Sequence, residues 1–319
     1  MSRAFLKGSL AALVAMSFGQ AAIAGDVARM VVAFPAGGPA DALARAISRQ
    51  LETELKRTVI IDNRPGANGA IAISAVTKGP ADGSVFFLTS AGAIVINPSL
   101  YKNLSYRPER DLVPVSMVVT TPQVLVVPLQ SKVNSAKDLV AQSRAGRSVS
   151  LASSGIGSMP HMAIELFKAS TSAEFLHVAY KGAAPAITDT IGGQVDAFFG
   201  DASGLVPFIE GKKLKPVAVT TARRLPYLPD VPTLDESGSK GVYAENWYGL
   251  MVPAGTPPKI VQELNGAVRR ALENKNVKAS LAKMGLTPAP STAAEFSDRI
   301  RADGGKWSKL IAERNVKPE

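Results

Sequence analysis

The chain has 319 residues, of which 46% are hydrophobic, 19% charged and 6% aromatic, with a mean hydropathy of +0.11. This apolar content excludes a disordered polymer, and the absence of any apolar run of about 20 residues after position 25 argues against a polytopic membrane protein. Cysteine is absent and only His161 and His177 represent histidine, so thiolate chemistry is excluded and neither a metal site nor a cofactor is expected.

The first 24 residues have the pattern of a cleavable secretory signal. Arg3 and Lys7 precede an apolar stretch at 10–18, and the small residues Ala22 and Ala24 then flank one larger residue, as signal peptidase requires. We therefore expect a mature chain that starts near Gly25 and works in the periplasm or outside the cell. A buried N-terminal helix is the alternative.

The charge of the chain gives a weaker indication of its partners. Loss of the signal lowers the formal net charge from +10 to +8, because Arg3 and Lys7 leave and no acid does. The remaining basic residues are scattered, and no aromatic residues lie among the densest groups at 212–215 and 223–224, as base stacking would require. Nucleic acid is therefore not an expected partner, whereas a basic field that attracts small carboxylates fits this composition.

Short β-branched runs alternate with helical periods along the chain, which is typical of α/β layers. Strands are predicted at 30–34, 59–61, 85–89, 112–119, 124–127, 149–152, 175–178, 195–199, 214–220 and 247–252. Helices are predicted at 43–55, where apolar residues repeat every four positions, in the small-residue segment that ends at 79, and after the capping box at 135–138. Further helices are predicted near 160, at 185–191, at 258–273 and after 292.

This order of elements predicts two α/β blocks with a mostly helical C-terminal part. Those C-terminal helices need a sheet to cover, and the first block has few helices of its own. We therefore expect a discontinuous first domain at 25–124 and 249–319, and a second domain at 125–248. The chain would cross between them near 120–126 and 246–252, where a hinge is expected.

Two glycine-rich turns, at 35–41 and 153–160, each follow a predicted buried strand and open a predicted helix. A helix N-terminus carries unpaired N–H donors and the positive end of the helix dipole, so each turn is suited to hold an anion. Ser153, Ser154 and Ser158 add hydroxyl donors to the second turn. A tight connection without a ligand is the alternative for either turn alone, and neither turn matches a nucleotide-binding motif.

Four other side chains are placed where they can contribute to a site. Asp201 follows a predicted buried strand and is suited either to hold a ligand ammonium or hydroxyl group or to cap the helix after it. Tyr180 and Ser90 also follow predicted strands. Tyr180 is expected to form a wall of the pocket, and Ser90 to make a polar contact. His161 lies in the first turn of a helix, where a neutral imidazole is expected, for packing, capping or ligand contact; His177 is interpreted as structural.

A hydrolase built on Ser154 or Ser158 with His161 is an alternative of a different class. The sequence has no G-x-S-x-G elbow, and Ser158 and His161 are neighbours on one turn, where the imidazole is poorly placed behind the hydroxyl. We therefore expect no enzyme. A structural or adhesive exported protein is the remaining alternative.

Eight motifs, in order and over nearly the whole mature chain, resemble signatures of the Bug family, the substrate-binding proteins of tripartite tricarboxylate transporters. They are VAFPAGGPAD at 32–41, DNRPGANG at 62–69, NPSLY at 97–101, SSGxGSxxH at 153–161, YKGxxPA at 180–186, GGQVD at 192–196, LPDVPT at 228–233 and WYGL at 247–250.

The resemblance implies an α/β, two-domain periplasmic binding protein (type II-like) with a hinge that closes on a ligand. In the family, the two turns grip a carboxylate from opposite sides, partly through ordered water. The ligand-binding residues expected here are Phe34, Ala36, Gly37, Gly38, Pro39, Asp41, Ser90, Ala91, Ser153, Ser154, Gly157, Ser158, His161, Tyr180 and Asp201.

The resemblance also implies the partners of the protein. The expected ligand is a mono- or dicarboxylate, including aromatic and amino acids, bound by a monomer that docks on the membrane subunits of a tripartite transporter or on a sensor. One departure is the run Ser90-Ala91-Gly92-Ala93, which is smaller and more apolar than the hydroxyl-bearing or histidine residues usual in the family. This run leaves room for a larger acid.

Overall fold

The computed structural model describes residues 27–66 and 69–318. The predicted signal segment lies outside the described residues, as does part of the 62–69 motif. The strands are β1 (Val27–Val32), β2 (Thr58–Asn63), β3 (Val85–Ser90), β4 (Leu112–Pro128), β5 (Val149–Ser153), β6 (Phe175–Ala179), β7 (Ala197–Asp201), β8 (Leu214–Val219), β9 (Glu245–Pro253) and β10 (Thr287–Pro288).

Helices flank these strands along the whole described chain. They are α1 (Pro39–Leu55), α2 (Ala70–Thr77), α3 (Asn97–Leu100), α4 (Pro108–Asp111), α5 (Ala136–Arg144), α6 (Met159–Thr171), α7 (Ala183–Ile191), α8 (Ala202–Glu210), α9 (Pro258–Glu273), α10 (Lys275–Lys283) and α11 (Ala293–Glu313), with a π-helical turn at Gly92–Ile96. Within the described residues, no helix is both long enough and apolar enough to span a bilayer.

The α/β fold class predicted from the sequence is confirmed, and the local signals explain why. Leu43, Ile47 and Leu51 form the buried face of α1, as their spacing predicts. The capping boxes at Ser135 and Thr292 are both present, each with a reciprocal side-chain and backbone hydrogen bond. The predicted helix at 258–273 has the bounds of α9.

The two halves of the sheet are joined through β4. In the first half, strands lie in the order β2-β1-β3-β9-β4, with parallel pairs among β1, β2 and β3 and antiparallel pairs at β9. In the second half, β4 lies between β8 and β7, followed by β5 and β6. Residues 112–122 of β4 pair with β9, and residues 123–128 pair with β7 and β8.

Sequence patterns predicted two short strands where the structure has the single strand β4. The segment 120–123, with the sequence TTPQ, interrupts the apolar pattern, but Thr121 and Gln123 are fully buried and the pairing continues through them. The largest buried cluster accordingly includes residues of both halves, among them Phe87 and Trp247 from the first and Phe199 from the second. Helices α3, α4 and α10 and the π-helical turn were not predicted as elements, and α8 was predicted only as an alternative after Asp201.

The packing of Gly249 on α11 provides a test of this core. A Cβ atom at Gly249 would overlap the Phe296 ring, which also packs edge-to-face on Trp247 at 5.0 Å between centroids. We expect Gly249→Ala to lower the free energy of unfolding by about 1–3 kcal/mol, because the core would be overpacked. Chemical denaturation measures this change.

The matched control is Gly305→Ala, an exposed position within α11 where an added Cβ meets nothing within 4 Å. Since alanine favours the helix, this variant should be more stable by about 0.8–1 kcal/mol. Equal effects of the two substitutions would contradict the packing described here.

Candidate ligand-binding site

The first turn, 33–38, leads from the buried strand β1 to α1. Pro39 is the first residue of α1, and Gly38 before it supplies no side-chain cap. Asp41 is buried; its Oδ2 accepts the Gly37 N–H at 2.9 Å and Arg45 Nε at 2.8 Å. The hydrogen bond from Arg45 holds the pKa of Asp41 below its usual range. Asp41 therefore fixes the turn as a paired carboxylate, and its charge is offset at the helix end.

The second turn, 153–158, leads from β5 to α6, and its hydroxyl groups have different roles. Ser158 caps α6: its Oγ accepts the His161 N–H at 3.3 Å and donates to the Gly155 carbonyl at 2.6 Å. Ser153 is fully buried, and its Oγ accepts the Gly155 N–H at 3.1 Å. Within the described residues, the Ser154 hydroxyl has no hydrogen-bond partner, which leaves it available to a ligand.

Two stacked histidines support the second turn from inside. The rings of His161 and His177 lie 4.0 Å apart and 12° from parallel. His161 Nδ1 accepts the Gly157 N–H at 3.3 Å, and His177 Nε2 lies 2.7 Å from Ser153 Oγ. Burial lowers the pKa of His161 to about 3 and that of His177 to about 4, so both rings are neutral near pH 7. The packing role expected for His161 is thus present, and His177 joins it.

The Ser153–His177 contact is of the kind that hydrolases use, but its environment differs. Ser153 is 0% exposed, and its hydroxyl also bonds to backbone groups of its own turn. A substrate carbonyl would have to reach an oxygen without solvent access. The contact therefore holds the turn, and the pairing of Ser154 or Ser158 with His161 considered from the sequence is not seen among the hydrogen bonds of these side chains.

Both turns border the segment that follows β3. A Cβ atom at Gly92 would lie 3.2 Å from the Gly157 carbonyl oxygen, and one at Gly157 would lie 2.9 Å from Asn97 Oδ1. On the other side, Phe34 packs edge-to-face on Tyr248 at 6.2 Å, and Tyr248 pairs in the sheet with Ser90. Each turn therefore adjoins residues at the end of β3 or just after it, the first through Tyr248 and the second through Gly92.

The remaining predicted residues differ in their exposure. Ala36 and Gly37 are exposed, Phe34 is partly buried, and Ser90 and Ala91 are buried at 7% and 0% exposure. The segment after Ser90, for which no element was predicted, contains the π-helical turn.

Tyr180 adjoins the second turn through its main chain. Its N–H donates to the Ser153 carbonyl at 3.1 Å, and the Gly182 N–H donates to the Ser154 carbonyl at 3.1 Å. The Tyr180 hydroxyl donates to Asp189 Oδ2 at 2.8 Å, and burial together with this carboxylate raises the pKa of Tyr180 to about 12. The backbone of Tyr180 therefore shapes the turn, while its hydroxyl is bonded to α7.

Asp201 does not cap α8, which corrects one of the two interpretations made from the sequence. Its carboxylate accepts instead from Gln123 Nε2 at 2.5 Å, Asn246 Nδ2 at 2.9 Å and Tyr248 Oη at 3.2 Å. Sequence reasoning did not identify Gln123, Asn246 or Tyr248 as partners of Asp201. The available signal was the amide of Gln123 inside a run of buried strand residues, because burying an amide costs free energy unless it is hydrogen-bonded.

The fold is that of a two-lobed periplasmic solute-binding protein. Residues 43–316 match the model of the tripartite tricarboxylate transporter family receptor, TctC. The chain therefore belongs to this family, as the sequence motifs indicated. Within the described residues, no three His, Asp or Glu side chains gather in a way that would hold a metal ion.

Curated relatives and solved structures agree with this assignment. Protein BugT of Bordetella pertussis is 35% identical over 91% of this chain and 89% of its own length. A Rhodopseudomonas palustris protein solved with adipate is 33% identical, with a TM-score of 0.87 over 92% of this chain and 98% of its own. MatC of the same organism, solved with malate, is 28% identical with a TM-score of 0.82, covering 89% and 98%.

The histidine pair predicts a pH dependence of stability. Because the folded-state pKa values of about 3 and 4 lie below the usual 6.5, the unfolded chain binds more protons between these limits. The stability is therefore fully present above pH 6.5 and decreases as the pH falls toward about 4. Thermal unfolding of the double variant His161→Asn/His177→Gln, which keeps hydrogen-bonding atoms but does not titrate, should depend less on pH across this range. An unchanged slope would contradict the prediction.

Proposed function

We propose that this protein captures a small organic carboxylate between its two lobes and delivers it to the membrane subunits of a tripartite tricarboxylate-type transporter. The family assignment supports a periplasmic solute-binding role. The observation that supports the proposal is that two glycine-rich turns, each at the N-terminus of a helix, both adjoin the end of β3 or the segment after it.

The chemistry of the turns favours an anion. At the N-terminus of α1, the N–H groups of Ala40 and Asp41 belong to the first helical turn, which has no side-chain cap. At the second turn, the unpartnered Ser154 hydroxyl adds a donor. Backbone donors and the helix dipole act without a cationic side chain, since the nearby Arg45 is already paired with Asp41.

Closure of the lobes accounts for capture. We propose a first lobe of 25–124 and 249–319 and a second lobe of 125–248, joined where β4 passes from one half of the sheet to the other. Closing the cleft excludes water and strengthens each contact between the carboxylate and the helix ends. Closure follows binding only to the extent that the closed state makes contacts that the open state lacks.

The ligand class and the partners rest on relatives. Adipate and malate, the ligands named for two solved neighbours, are small dicarboxylates. We therefore propose a mono- or dicarboxylate ligand, a periplasmic location reached through the cleavable signal, and a monomer as the binding unit. A sensor protein is the second partner that fits a closed, ligand-bound form.

A thermal-shift screen tests the proposed function. An acid that binds the folded protein should raise its stability by about 2.7 kcal/mol at 100 times its dissociation constant. The panel should span mono- and dicarboxylates, aromatic acids and amino acids, with the corresponding amides as uncharged controls. If no acid in the panel raises the melting temperature, or if amides act equally, capture of a carboxylate is contradicted.

The two serines of the second turn give a matched pair of variants. Ser154→Ala should weaken carboxylate binding by about tenfold or more, since a hydrogen bond to a charged group is lost, and should leave stability unchanged. Ser158→Ala should instead lower stability by about 1 kcal/mol through loss of the α6 cap. Titration calorimetry and thermal unfolding separate these effects; unchanged binding by Ser154→Ala would remove this residue from the site.

A further inference from the structure

The contacts around Asp201 form a polar cluster at the junction of the two sheet halves. Gln123 is the first residue of β4 to pair with the second half, Asn246 lies at the start of β9, and Asp201 ends β7. All three donors to the Asp201 carboxylate, from Gln123, Asn246 and Tyr248, are neutral. No Arg or Lys within the described residues forms an ion pair with Asp201.

The cluster contains more acceptors than donors. Gln123 Oε1 and Asn246 Oδ1 are buried and have no hydrogen-bond partner among the described residues. Exchanging the oxygen and nitrogen of either amide does not repair this deficit, because an oxygen would then face the Asp201 carboxylate. Gln123 is 0% and Asn246 6% exposed, and native proteins rarely leave such groups unsatisfied. The cluster is therefore complete only when donors are supplied from outside it.

The cluster adjoins the first turn of the cleft. Tyr248, which donates to Asp201, packs on Phe34 at the beginning of that turn. On the other side of Asp201, a Cβ atom at Gly204 would lie 3.5 Å from Pro39 Cγ, at the N-terminus of α1. The cluster thus lies next to the N-terminus of α1, where the proposed carboxylate contact is made.

Resting on the proposed function, we infer that the cluster of Asp201, Gln123 and Asn246 is a donor-reading subsite that selects carboxylates bearing a hydroxyl or ammonium group. A ligand hydroxyl supplies one donor and an ammonium group supplies three, together with a charge opposite to that of Asp201. A second carboxylate supplies none and is repelled by the acceptors. Burial raises the pKa of Asp201, and the hydrogen bonds from Gln123, Asn246 and Tyr248 only partly oppose this rise.

Titration calorimetry with matched ligands tests this inference on the full mature protein. Each series has one chain length and differs only in the donor: propionate, lactate and alanine; succinate, malate and aspartate; glutarate, 2-hydroxyglutarate and glutamate. In the series that binds, we expect the hydroxy or amino acid to bind more tightly than the unsubstituted acid by about tenfold or more.

Asp201→Asn keeps the shape of the side chain and removes its charge, so the preference for the amino acid should fall by about tenfold or more. Asp303→Asn is the matched control, since Asp303 is also a buried carboxylate, bonded to Trp247 Nε1 at 2.9 Å and to Arg299 Nε at 2.8 Å. This control should change stability and leave the ligand preference as it is.

The outcomes separate the subsite from the proposed function. If unsubstituted acids bind as tightly as their donor-bearing partners, the inference is overturned while carboxylate capture stands. If no acid in any series binds, both fail. If Asp201→Asn does not fold, the comparison of ligands on the unmodified protein decides by itself, because it needs no variant.

Discussion

The arrangement of this protein depends on one strand that serves both halves of its sheet. Strand β4 pairs with β9 up to Pro122 and with β7 and β8 from Gln123 onward. At the change of partners, the Gln123 N–H donates to the Ala244 carbonyl at 3.2 Å and to Thr220 Oγ1 at 3.0 Å. These bonds connect β4 to the chain segments on either side of it, so the position of one half of the sheet relative to the other is set at this point.

Internal hydrogen bonds hold the backbone of the two turns in place. In the first turn, the Gly37 N–H is taken by Asp41, and in the second the Gly157 N–H is taken by His161. Both bonds reduce the number of free donors, and both fix the backbone so that the remaining donors keep their direction. This is preorganisation: ordering before binding reduces the entropy that a ligand must overcome.

Much of the fold could be predicted because its strands are buried and its helices carry local start signals. The capping boxes at Ser135 and Thr292 and the four-residue repeat of α1 depend on neighbouring residues only. Helix α8 was predicted only as one alternative for the segment after Asp201, because Gly204 and Pro207 oppose helix formation locally and tertiary packing decides its conformation. The π-helical turn was missed because Gly92 follows Ala91 in a run that resembles a loop.

The candidate site was also only partly predictable, because local patterns mark its turns but not the residues that meet around Asp201. The two turns follow from a local pattern of strand, glycine and helix, and in the structure both adjoin the end of β3 or the segment after it. The cluster around Asp201 joins residues from positions 123, 201, 246 and 248, which no local pattern connects. A buried amide in a strand indicates that a partner exists but not which residue it is.

Backbone donors and side chains have different roles in the proposed site, because the former depend on local patterns and the latter on residues that are distant in sequence. Backbone donors at helix ends depend on fold and on small residues, so they hold the feature that all carboxylates share. Side chains such as Asp201 depend on residue identity, so a single substitution changes what they accept while the strands that position them keep their pairing. In the proposed subsite, the acceptors beside the first turn would also oppose a second anion, and discrimination by repulsion needs no increase in affinity for the preferred ligand. In a receptor built in this way, a side-chain substitution can change the preferred ligand while the backbone contacts to the carboxylate stay the same.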